Sequence, residues 1–394
     1  MITSGIDIGK NSHVISVIDQ DTGVLLVKPT SFTNNFEGFK KLDKILEPYS
    51  EKNLRIGMED TGHYHFNLLH HLLKEGYSTY LINPSKTDAE RKLTGNITKN
   101  DQQDSMQIAD ILAYPARKKL YRKVDMTFFS MDEQKSLTRL HADLTEQLCP
   151  IGNKIQKSLD ILFPEYNSLF GGHYGKTYMK ILMTFKSATN IAEADISDIK
   201  EAMKHNGRGR GVSFTAEDLQ ALARNSVAQA NKGEEYALEA RLNQYTVVAE
   251  QLEKVDKKIE ELSKETNSPM LTIPGISHLS CTTILAEIRC IGNFNSAAKL
   301  TKFAGVAPKH YESSQFDAKH CSISKKGNKY LRKILYQIIT PVINNNKVFK
   351  DYYDKKISEG KSHRCAQGHC VRKLLRIIFH ILATGEGFDP NKLK

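Results

Sequence analysis

The sequence lacks any long apolar run. In the 394-residue chain no uninterrupted apolar stretch reaches the ~20 residues that a bilayer crossing needs. The first seven residues, which end at Asp7, carry a carboxylate where a signal peptide would carry its apolar stretch. These two absences exclude a membrane-spanning class of protein, and we expect the protein in the cytoplasm.

Cysteine is scarce. Six cysteines in so long a chain do not make a disulfide framework, and they are expected to be reduced thiols. The tightest group, His363-x-Cys365-x3-His369-Cys370, has zinc-ligand residue types but lacks a second Cys-x2-Cys half, which argues against a zinc site. The six are Cys149, Cys281, Cys290, Cys321, Cys365 and Cys370.

Negative charge is scarce in the last third of the chain. The formal net charge is +11, and residues 266–394 contain 21 Lys and Arg against 8 Asp and Glu. That segment has a net charge of +13, which leaves −2 for the preceding 265 residues. Such an excess attracts polyanions, of which nucleic acid is the commonest in the cytoplasm. A solvated, solubilising surface is the alternative interpretation.

Residues 1–115 alternate strand and helix signals. Apolar and alternating runs followed by turn residues predict strands, and an apolar face at helical spacing predicts the helices. The order βββαβαβα is that of the ribonuclease H fold, an α/β fold with a mixed sheet. The predicted strands are 2–8, 13–19, 24–28, 54–58 and 78–82, and the predicted helices are 36–47, 65–75 and 101–114.

Residues 116–265 are predicted to be helical. One apolar stripe recurs every seven residues, and a second stripe precedes it, so the two favour an antiparallel coiled coil that acts as a spacer. The loop 206–212 contains two arginines, which either contact phosphate or lie on an ordinary surface. The first stripe contains Leu238, Tyr245, Leu252 and Ile259 with Val248, Val255 and Leu262, and the second contains Leu137, Leu140, Leu144, Leu148, Ile151 and Ile155.

The basic segment 266–394 is predicted to be mainly helical. Near its start, Leu271-Thr-Ile-Pro-Gly275-Ile276 precedes a helical stretch and resembles one helix-hairpin-helix unit. In such a unit the glycine turn presents backbone N–H groups to a DNA phosphate. Gly275 is therefore a candidate nucleic-acid contact.

Four carboxylates stand out in the first segment. Asp7 interrupts an apolar strand, Glu59 ends the fourth strand, and Asp101 and Asp104 share one face of a helix. In a ribonuclease-H-like sheet the first and fourth strands are neighbours, and we expect the four acids to converge. Two Mg²⁺ ions would offset their repulsion and clamp a phosphodiester. Taken singly, each acid is also explained by a helix N-terminus or a turn.

A nucleotide-binding fold is the competing interpretation of the first strand. Gly5-Ile-Asp7-Ile-Gly9-Lys10 looks like the first phosphate loop of the actin and sugar-kinase fold. That fold needs a second phosphate loop and a glycine-rich adenosine loop in a second copy of the domain. The sequence has neither.

At these motifs the sequence resembles the IS one-ten family of insertion-sequence transposases, the DEDD recombinases guided by a bridge RNA. The first block, residues 1–115, carries the motif around Asp7, then Met58-Glu59-Asp60-Thr-Gly-His-Tyr64, Ile82-Asn-Pro84 and Thr98-Lys-Asn-Asp101-Gln-Gln-Asp104. The resemblance implies a RuvC-like catalytic domain and places the family's four acids on Asp7, Glu59, Asp101 and Asp104. Asn100 and Ser105 replace the family's usual Thr and Ala, and the carboxylate spacing is intact.

The second block covers about residues 268–385. It contains Phe303-Ala-Gly-Val-Ala-Pro308 and Ile323-Ser-Lys-Lys-Gly-Asn328, and between them lies the stretch that holds the family's nucleophilic serine. The resemblance places that serine at Ser313, with Ser314 as the alternative because it stands where glycine is usual. The surrounding cations would stabilise charge on a phosphodiester. The candidate nucleic-acid contacts here are Lys309, Lys319, Lys325, Lys326, Arg332 and Lys333.

The resemblance implies a DNA transposase or site-specific recombinase. Its implied partners are the DNA of the element ends and target, a noncoding bridge RNA, and further copies of the chain as a homodimer that assembles into a tetramer. Its implied place is the nucleoid of a bacterial or archaeal cell, and its implied cofactor is a pair of Mg²⁺ ions. The sequence leaves two alternatives: a RuvC-like metal-dependent nuclease without a covalent intermediate, and an architectural nucleic-acid-binding protein.

Overall fold

The computed structural model describes residues 1–50, 53–60, 62–84, 87, 100–113, 120–170, 174–204, 212–308, 312–313, 316–317 and 322–393. These residues form two compact units, Met1–Met131 and Asp132–Lys394. The first unit extends beyond the predicted boundary at residue 115, and the helices on either side of residue 265 belong to one unit. The functional division into three segments stays a prediction.

A six-stranded mixed sheet forms the centre of the first unit, in the order β3-β2-β1-β4-β5-β6. Strand β1 pairs antiparallel with β2 and parallel with β4, and β4 pairs parallel with β5. The outer pairs β2–β3 and β5–β6 are antiparallel. The strands are β1 Ile2–Ile8, β2 Ser12–Asp19, β3 Val24–Thr33, β4 Leu54–Glu59, β5 Ser78–Ile82 and β6 Tyr121–Val124.

Helices cover both faces of this sheet. Helices α1 (Phe36–Leu46) and α2 (Phe66–Lys74) bury Leu42, Leu68 and Leu72 against an apolar sheet face that includes Ile6 and Met58. The side chain of Asn35 begins α1 by accepting a hydrogen bond from the Gly38 N–H at 2.9 Å. Helix α3 (Asp101–Ala113) packs on β1, β2 and β4.

The predicted fold class is confirmed. The first and fourth strands are parallel neighbours, and the strand and helix order matches that of the ribonuclease H fold predicted from the sequence. Strand β6 was not predicted, because its four residues are too short to show an alternation. The rest of the chain is mostly helical, as expected.

The second unit contains eleven labelled helices within the part of the chain that the structure describes. Two of them, α4 and α9, are much longer than the rest. They are α4 Asp132–Leu162, α5 Lys176–Phe185, α6 Ala188–Glu193, α7 Ile196–Met203, α8 Ala216–Arg224, α9 Lys232–Thr266, α10 His278–Ile288, α11 Ala297–Phe303, α12 Lys329–Asn345, α13 Lys347–Ser358 and α14 His363–Thr384.

Helices α4 and α9 lie antiparallel. Ser158 near the end of α4 donates to Glu234 at the start of α9 at 2.7 Å, and His141 near the start of α4 lies 3.1 Å from Asp256 near the end of α9. The predicted apolar stripes meet in one core, which buries Leu144, Ile151, Ile155, Leu159, Leu238, Val248, Val255 and Ile259. Leu140 is an exception, since it is 44% exposed. Coiled-coil geometry stays a prediction.

Helices α10 to α14 build a second apolar core. It includes Leu331 and Leu335 of α12 and Leu374 and Ile378 of α14. No helix among the described residues combines the length and apolarity required to cross a bilayer. Five of the six cysteines are described, and all five are free thiols. Cys321 lies outside the described residues.

Candidate active-site residues

Strands β1 and β4 bring Asp7 and Glu59 to one end of the sheet. Gly5 is the register partner of Gly57, and Ile6 is the partner of Met58. Continuing this register by one residue places Glu59 opposite Asp7. Because alternate residues of a strand share a face, Asp7 lies on the face of Gly5 and Glu59 on the face of Gly57.

Helix α3 covers that same face. A Cβ atom on Gly5 would overlap the carbonyl oxygen of Ser105 and lie 2.5 Å from the backbone N of Ala109. A Cβ atom on Gly57 would lie 2.8 Å from Leu112 Cδ1. The paired glycines therefore permit an approach between helix and sheet that no larger residue allows without movement.

The direction of α3 places its acidic end beside the two strand carboxylates. Gln20 Nε2 donates to Thr3 Oγ1 at 2.7 Å and to Asp110 Oδ1 at 3.4 Å, so the last turns of α3 lie near the start of β1. The helix thus runs antiparallel to β1 and β4, and its first turn lies at the carboxyl ends of these strands. That turn carries Asp101 and Asp104.

The four acids differ in exposure. Asp104 is only 4% exposed, Asp7 and Glu59 are half-buried, and Asp101 is exposed. Among the described residues, no group of three or more Asp, Glu, His or Cys side chains is close enough together to hold a metal ion. The carboxylates therefore lie at one edge of the sheet without forming a closed ligand cluster among the described residues.

The donor chemistry at this edge fits Mg²⁺. All four candidate ligands are carboxylates, and oxygen ligands are the ones that Mg²⁺ prefers. The neighbouring Asp60 is engaged elsewhere: its Oδ2 lies 3.4 Å from Arg122 Nη2, and its Oδ1 lies 3.5 Å from Nε2 of the fully buried His65. Sequence analysis missed Arg122 because β6 was not predicted.

The stretch between Pro308 and Ile323 contains Ser313, and we call it the serine segment. This segment of the second unit is closed at its base. Pro308 forms a bridge with Ile323, and Ser324 donates its N–H to the Ala307 carbonyl at 2.8 Å. Within the segment, β7 (Glu312–Ser313) pairs with β8 (Phe316–Asp317), and Ser313 is the register partner of Phe316. Ser313 is thus the last residue of β7. Ser314, Lys309 and Lys319 lie outside the described residues, as do the two arginines of loop 206–212.

A tight turn follows the serine segment. Lys325 adopts a φ of 52°, and a Cβ atom on Gly327 would lie 2.8 Å from the Gly305 backbone N. Arg332 Nη1 donates to the Lys325 carbonyl at 3.1 Å and supports this turn. Lys325 and Lys326 are exposed. We call residues 324–328 the basic turn.

Two other predicted contacts have local structural roles. Lys333 Nζ lies 2.6 Å from Glu146 Oε1. Gly275 has a φ of +94°, and a Cβ atom there would lie 2.7 Å from the Val342 backbone N. This glycine packs against α12, so its turn has a structural reason independent of DNA. The segment before it is a single 3₁₀ turn, Pro269–Thr272.

Glu287 is a buried carboxylate that sequence analysis missed. Its Oε1 accepts from Arg139 Nε at 2.8 Å, and its Oε2 accepts from Arg139 Nη2 at 3.0 Å and from Asn328 Nδ2 at 2.6 Å. Burial raises the pKa of Glu287, but the bonds from Arg139 and Asn328 outweigh it and hold the pKa below its ordinary value. Asn328 also caps α12, since its side chain accepts from the Leu331 N–H. Glu287 therefore anchors the end of the basic turn.

Lys135 lies in the same neighbourhood. Burial and the charge of Arg289 lower the pKa of Lys135 from 10.5 to about 8. Arg289 itself pairs with Asp132 at 3.0 Å. A pocket of about 60 Å³ lies between α4, α10 and α12 and is lined by residues that include Arg139, Glu287 and Tyr330.

The group of His and Cys residues from 363 to 370, at which the sequence argues against a zinc site, lies on α14. His363 Nδ1 is 2.6 Å from the Tyr353 hydroxyl, and Cys370 is buried while Cys365 is exposed. Within the described part of the chain, these side chains form no group that could hold a metal ion.

Comparison with known proteins identifies the family. Residues 4–164 match a family described as "Transposase", and residues 267–354 match the "Transposase IS116/IS110/IS902 family". The chain belongs to the IS110 family of transposases. The enzyme is therefore a DNA transposase or recombinase, and its first unit has the strand order of the ribonuclease H fold.

Several relatives span nearly its whole length. A mini-circle protein of Streptomyces coelicolor, named as transposase for IS117, is 24% identical over 98% of this chain and 95% of its own. The "Pilin gene-inverting protein" of Moraxella bovis is 22% identical over 98% of this chain and 97% of its own. Among solved structures, T. thermophilus RuvC in complex with Holliday junction substrate is 16% identical, with a TM-score of 0.24, over 32% of this chain and 99% of that one.

Proposed function

We propose that this transposase cuts and rejoins DNA strands with a carboxylate site at the sheet edge and a serine nucleophile. The observation that carries the proposal is the placement of α3: the Gly5–Gly57 pair seats the helix so that its acidic first turn meets the ends of β1 and β4. Asp7, Glu59, Asp101 and Asp104 would hold two Mg²⁺ ions there. When bound, the ions supply positive charge that stabilises the oxygens of a reacting phosphodiester.

The nucleophile in this proposal is Ser313, with Ser314 as the alternative. The serine Oγ forms a bond to phosphorus as the bond from phosphorus to one deoxyribose oxygen breaks. The serine proton leaves Oγ, and the released sugar oxygen takes up a proton. Because the phosphoserine ester retains the energy of the broken bond, rejoining needs no ATP.

Support for the serine comes from its setting. Ser313 ends a short strand in a segment whose base is closed by the Pro308–Ile323 bridge, and the basic turn follows directly. Exposed lysines at that turn provide charge for a phosphate. The proposal requires carboxylates and serine to meet at one phosphate, either within one chain or between the chains of a dimer or tetramer.

Guidance by a bridge RNA is part of the same proposal. Its support is the family membership together with the positive charge of the last third of the chain, which binds RNA as readily as DNA. The DNA substrates are the element ends and the target.

The test uses a DNA fragment that carries the sequences flanking this reading frame, together with RNA transcribed from them. With Mg²⁺, the wild-type enzyme is expected to form a protein–DNA adduct that survives denaturation, with the DNA on a serine peptide. Ser313→Ala, Ser314→Ala and the double variant identify the serine by mass spectrometry. Strand cleavage that persists in the double variant would instead establish the nuclease alternative.

A further inference from the structure

Helices α13 and α14 carry an excess of positive charge. From Lys347 to Arg376 the chain has nine Lys and Arg against three Asp and Glu. Part of this excess lies on one face of α14, because Cys365, His369, Arg372 and Arg376 are spaced four, three and four residues apart. This face therefore carries two of the four Lys and Arg residues of α14.

Three cations act on His369 through their charge. Burial lowers the pKa of His369, and the charges of Arg372, Lys356 and Lys361 lower it further, against a smaller opposite effect of Glu359. These cations come from α13, from the connection after it, and from α14. They converge although they are separated along the sequence.

The same group continues towards the serine segment through Tyr336 of α12. A Cβ atom on Gly368 would lie 3.3 Å from the Tyr336 hydroxyl oxygen, so α12 and α14 are close at this point. Burial raises the pKa of Tyr336, whereas the charges of Arg372 and Arg332 lower it. Arg332 lies four residues before Tyr336 on α12, and therefore on the same side of that helix. Arg332 in turn contacts the basic turn.

These contacts define a continuous surface, which we call the basic track: Arg332, Tyr336, Arg372, His369, Lys356 and Lys361. Glu359 pairs with Lys356 at 2.7 Å and offsets one of its charges. Within the described part of the chain, no ion pair is found for Arg332, Arg372 or Lys361. Four like charges so arranged repel one another, and a polyanion relieves that repulsion.

Aromatic rings support the far end of the track. The Lys356 ammonium lies 5.5 Å and the Lys373 ammonium 4.7 Å from the centre of the Tyr352 ring. The Tyr353 hydroxyl is bonded to His363. Lysines held over rings keep their charge while losing some of their motion, which suits a surface that binds phosphate groups.

We propose that the basic track binds the sugar-phosphate backbone of the nucleic acid that leads away from the serine segment. The proposal rests on the proposed function only in taking nucleic acid as the substrate, and it does not require serine attack. The phosphate backbone is common to DNA and RNA, so the test includes both.

The experiment measures binding by the full-length protein without chemistry. Fluorescence anisotropy is recorded over a series of salt concentrations with a DNA duplex and an RNA duplex of equal length and unrelated sequence. The variants are Arg372→Gln with Lys361→Ala, and Lys361→Ala alone, since this exposed lysine can be replaced without loss of folding. The matched control is Lys157→Ala with Lys254→Ala, two exposed lysines of α4 and α9.

We expect the double variant to bind about tenfold more weakly near physiological salt, and its salt dependence to be shallower by about two phosphate contacts. Lys361→Ala alone gives about half of that change in slope, and the control pair changes binding less than twofold. Weaker binding of the DNA duplex, of the RNA duplex or of both supports the proposal. The duplex whose binding is weakened identifies the nucleic acid that the basic track binds.

If the track variants and the control pair bind both duplexes like the wild type, the proposal is overturned. Its failure is distinct from failure of the serine proposal, because the Ser313→Ala, Ser314→Ala double variant should keep full binding. Equal weakening by the track variants and by the control pair would also overturn it, since that result describes general electrostatic attraction.

Discussion

Gly5 and Gly57 are register partners on parallel neighbouring strands, and helix α3 lies directly on both. This relationship sets the height of α3 above the sheet and with it the position of Asp104. The proposed carboxylate site therefore depends on two residues that have no side chain.

Substitution of Gly5 tests that dependence. Gly5→Ala would place a methyl group against backbone atoms of α3, so we expect a loss of about 3 kcal/mol in the free energy of unfolding. Gly57→Ala meets side-chain atoms of Leu112 and Ile108, which can shift, and should cost less. Denaturant unfolding measures both. Gly23→Ala is the control: its Cβ meets nothing within 4 Å, and only its φ of +72° opposes alanine.

The charge at the sheet edge is tested by neutralising each acid. Asp7→Asn, Glu59→Gln and Asp104→Asn should each abolish strand cleavage while leaving DNA binding within about twofold. In the wild type, Mg²⁺ should raise the unfolding temperature because the ion binds only the folded chain. If a variant folds but no longer responds to Mg²⁺, the substituted acid belongs to the site. If a variant cleaves DNA normally, its substituted acid does not belong to the site.

Glu287 provides a prediction about the support of the basic turn. Glu287→Gln removes the charge that Arg139 contacts twice, and we expect a loss of about 2 kcal/mol. The pKa of Glu287 is lowered in the folded protein, so its contribution is present above the unfolded pKa and is lost as pH falls through the folded value. The difference between variant and wild type should therefore shrink on acidification below about pH 4.

Lys200→Ala is the control for Glu287. It removes an ion pair with Glu217 in which both side chains are more than half exposed, and it should cost well under 1 kcal/mol. An equal cost for the two substitutions would show that the Glu287 network is no stronger than a surface pair.

Lys135 gives a prediction about pH. Burial and the charge of Arg289 lower its pKa to about 8, so half of its amines should be neutral near that pH. Acylation of Lys135 by an amine-specific reagent, followed by mass spectrometry, should rise with a midpoint near pH 8. A midpoint near the ordinary lysine value of 10.5 would contradict the burial of this group.

Much of the first unit could be predicted because its signals are local. The alternation around Ile6 and the carboxylate inside that strand indicate both the strand and the position of Asp7. The adjacency of Glu59 to Asp7 followed from the strand order of the fold class. The close packing of α3 on Gly5 and Gly57 could not be predicted, since it depends on the distance between this helix and two strands that are remote from it in the sequence.

The second unit shows the opposite case. Glu287 is bonded to Arg139 on α4 and to Asn328, which precedes α12, and no spacing in the sequence connects the three residues. Charged residues are usually exposed, whereas Glu287 is buried. The partners that offset the cost of burying its charge are visible only in the folded chain. Lys325 and Lys326 of the basic turn, by contrast, were candidate nucleic-acid contacts from the sequence, because their charges are contiguous, and that role stays a prediction.

The most direct test of the account is to locate the ions. Crystals of the full-length protein grown with Mn²⁺ in place of Mg²⁺ would show the metal by anomalous diffraction. We predict two peaks roughly 4 Å apart at the carboxyl ends of β1 and β4, within bonding distance of Asp7, Glu59, Asp101 and Asp104. Manganese bound elsewhere, with this edge empty, would contradict the account.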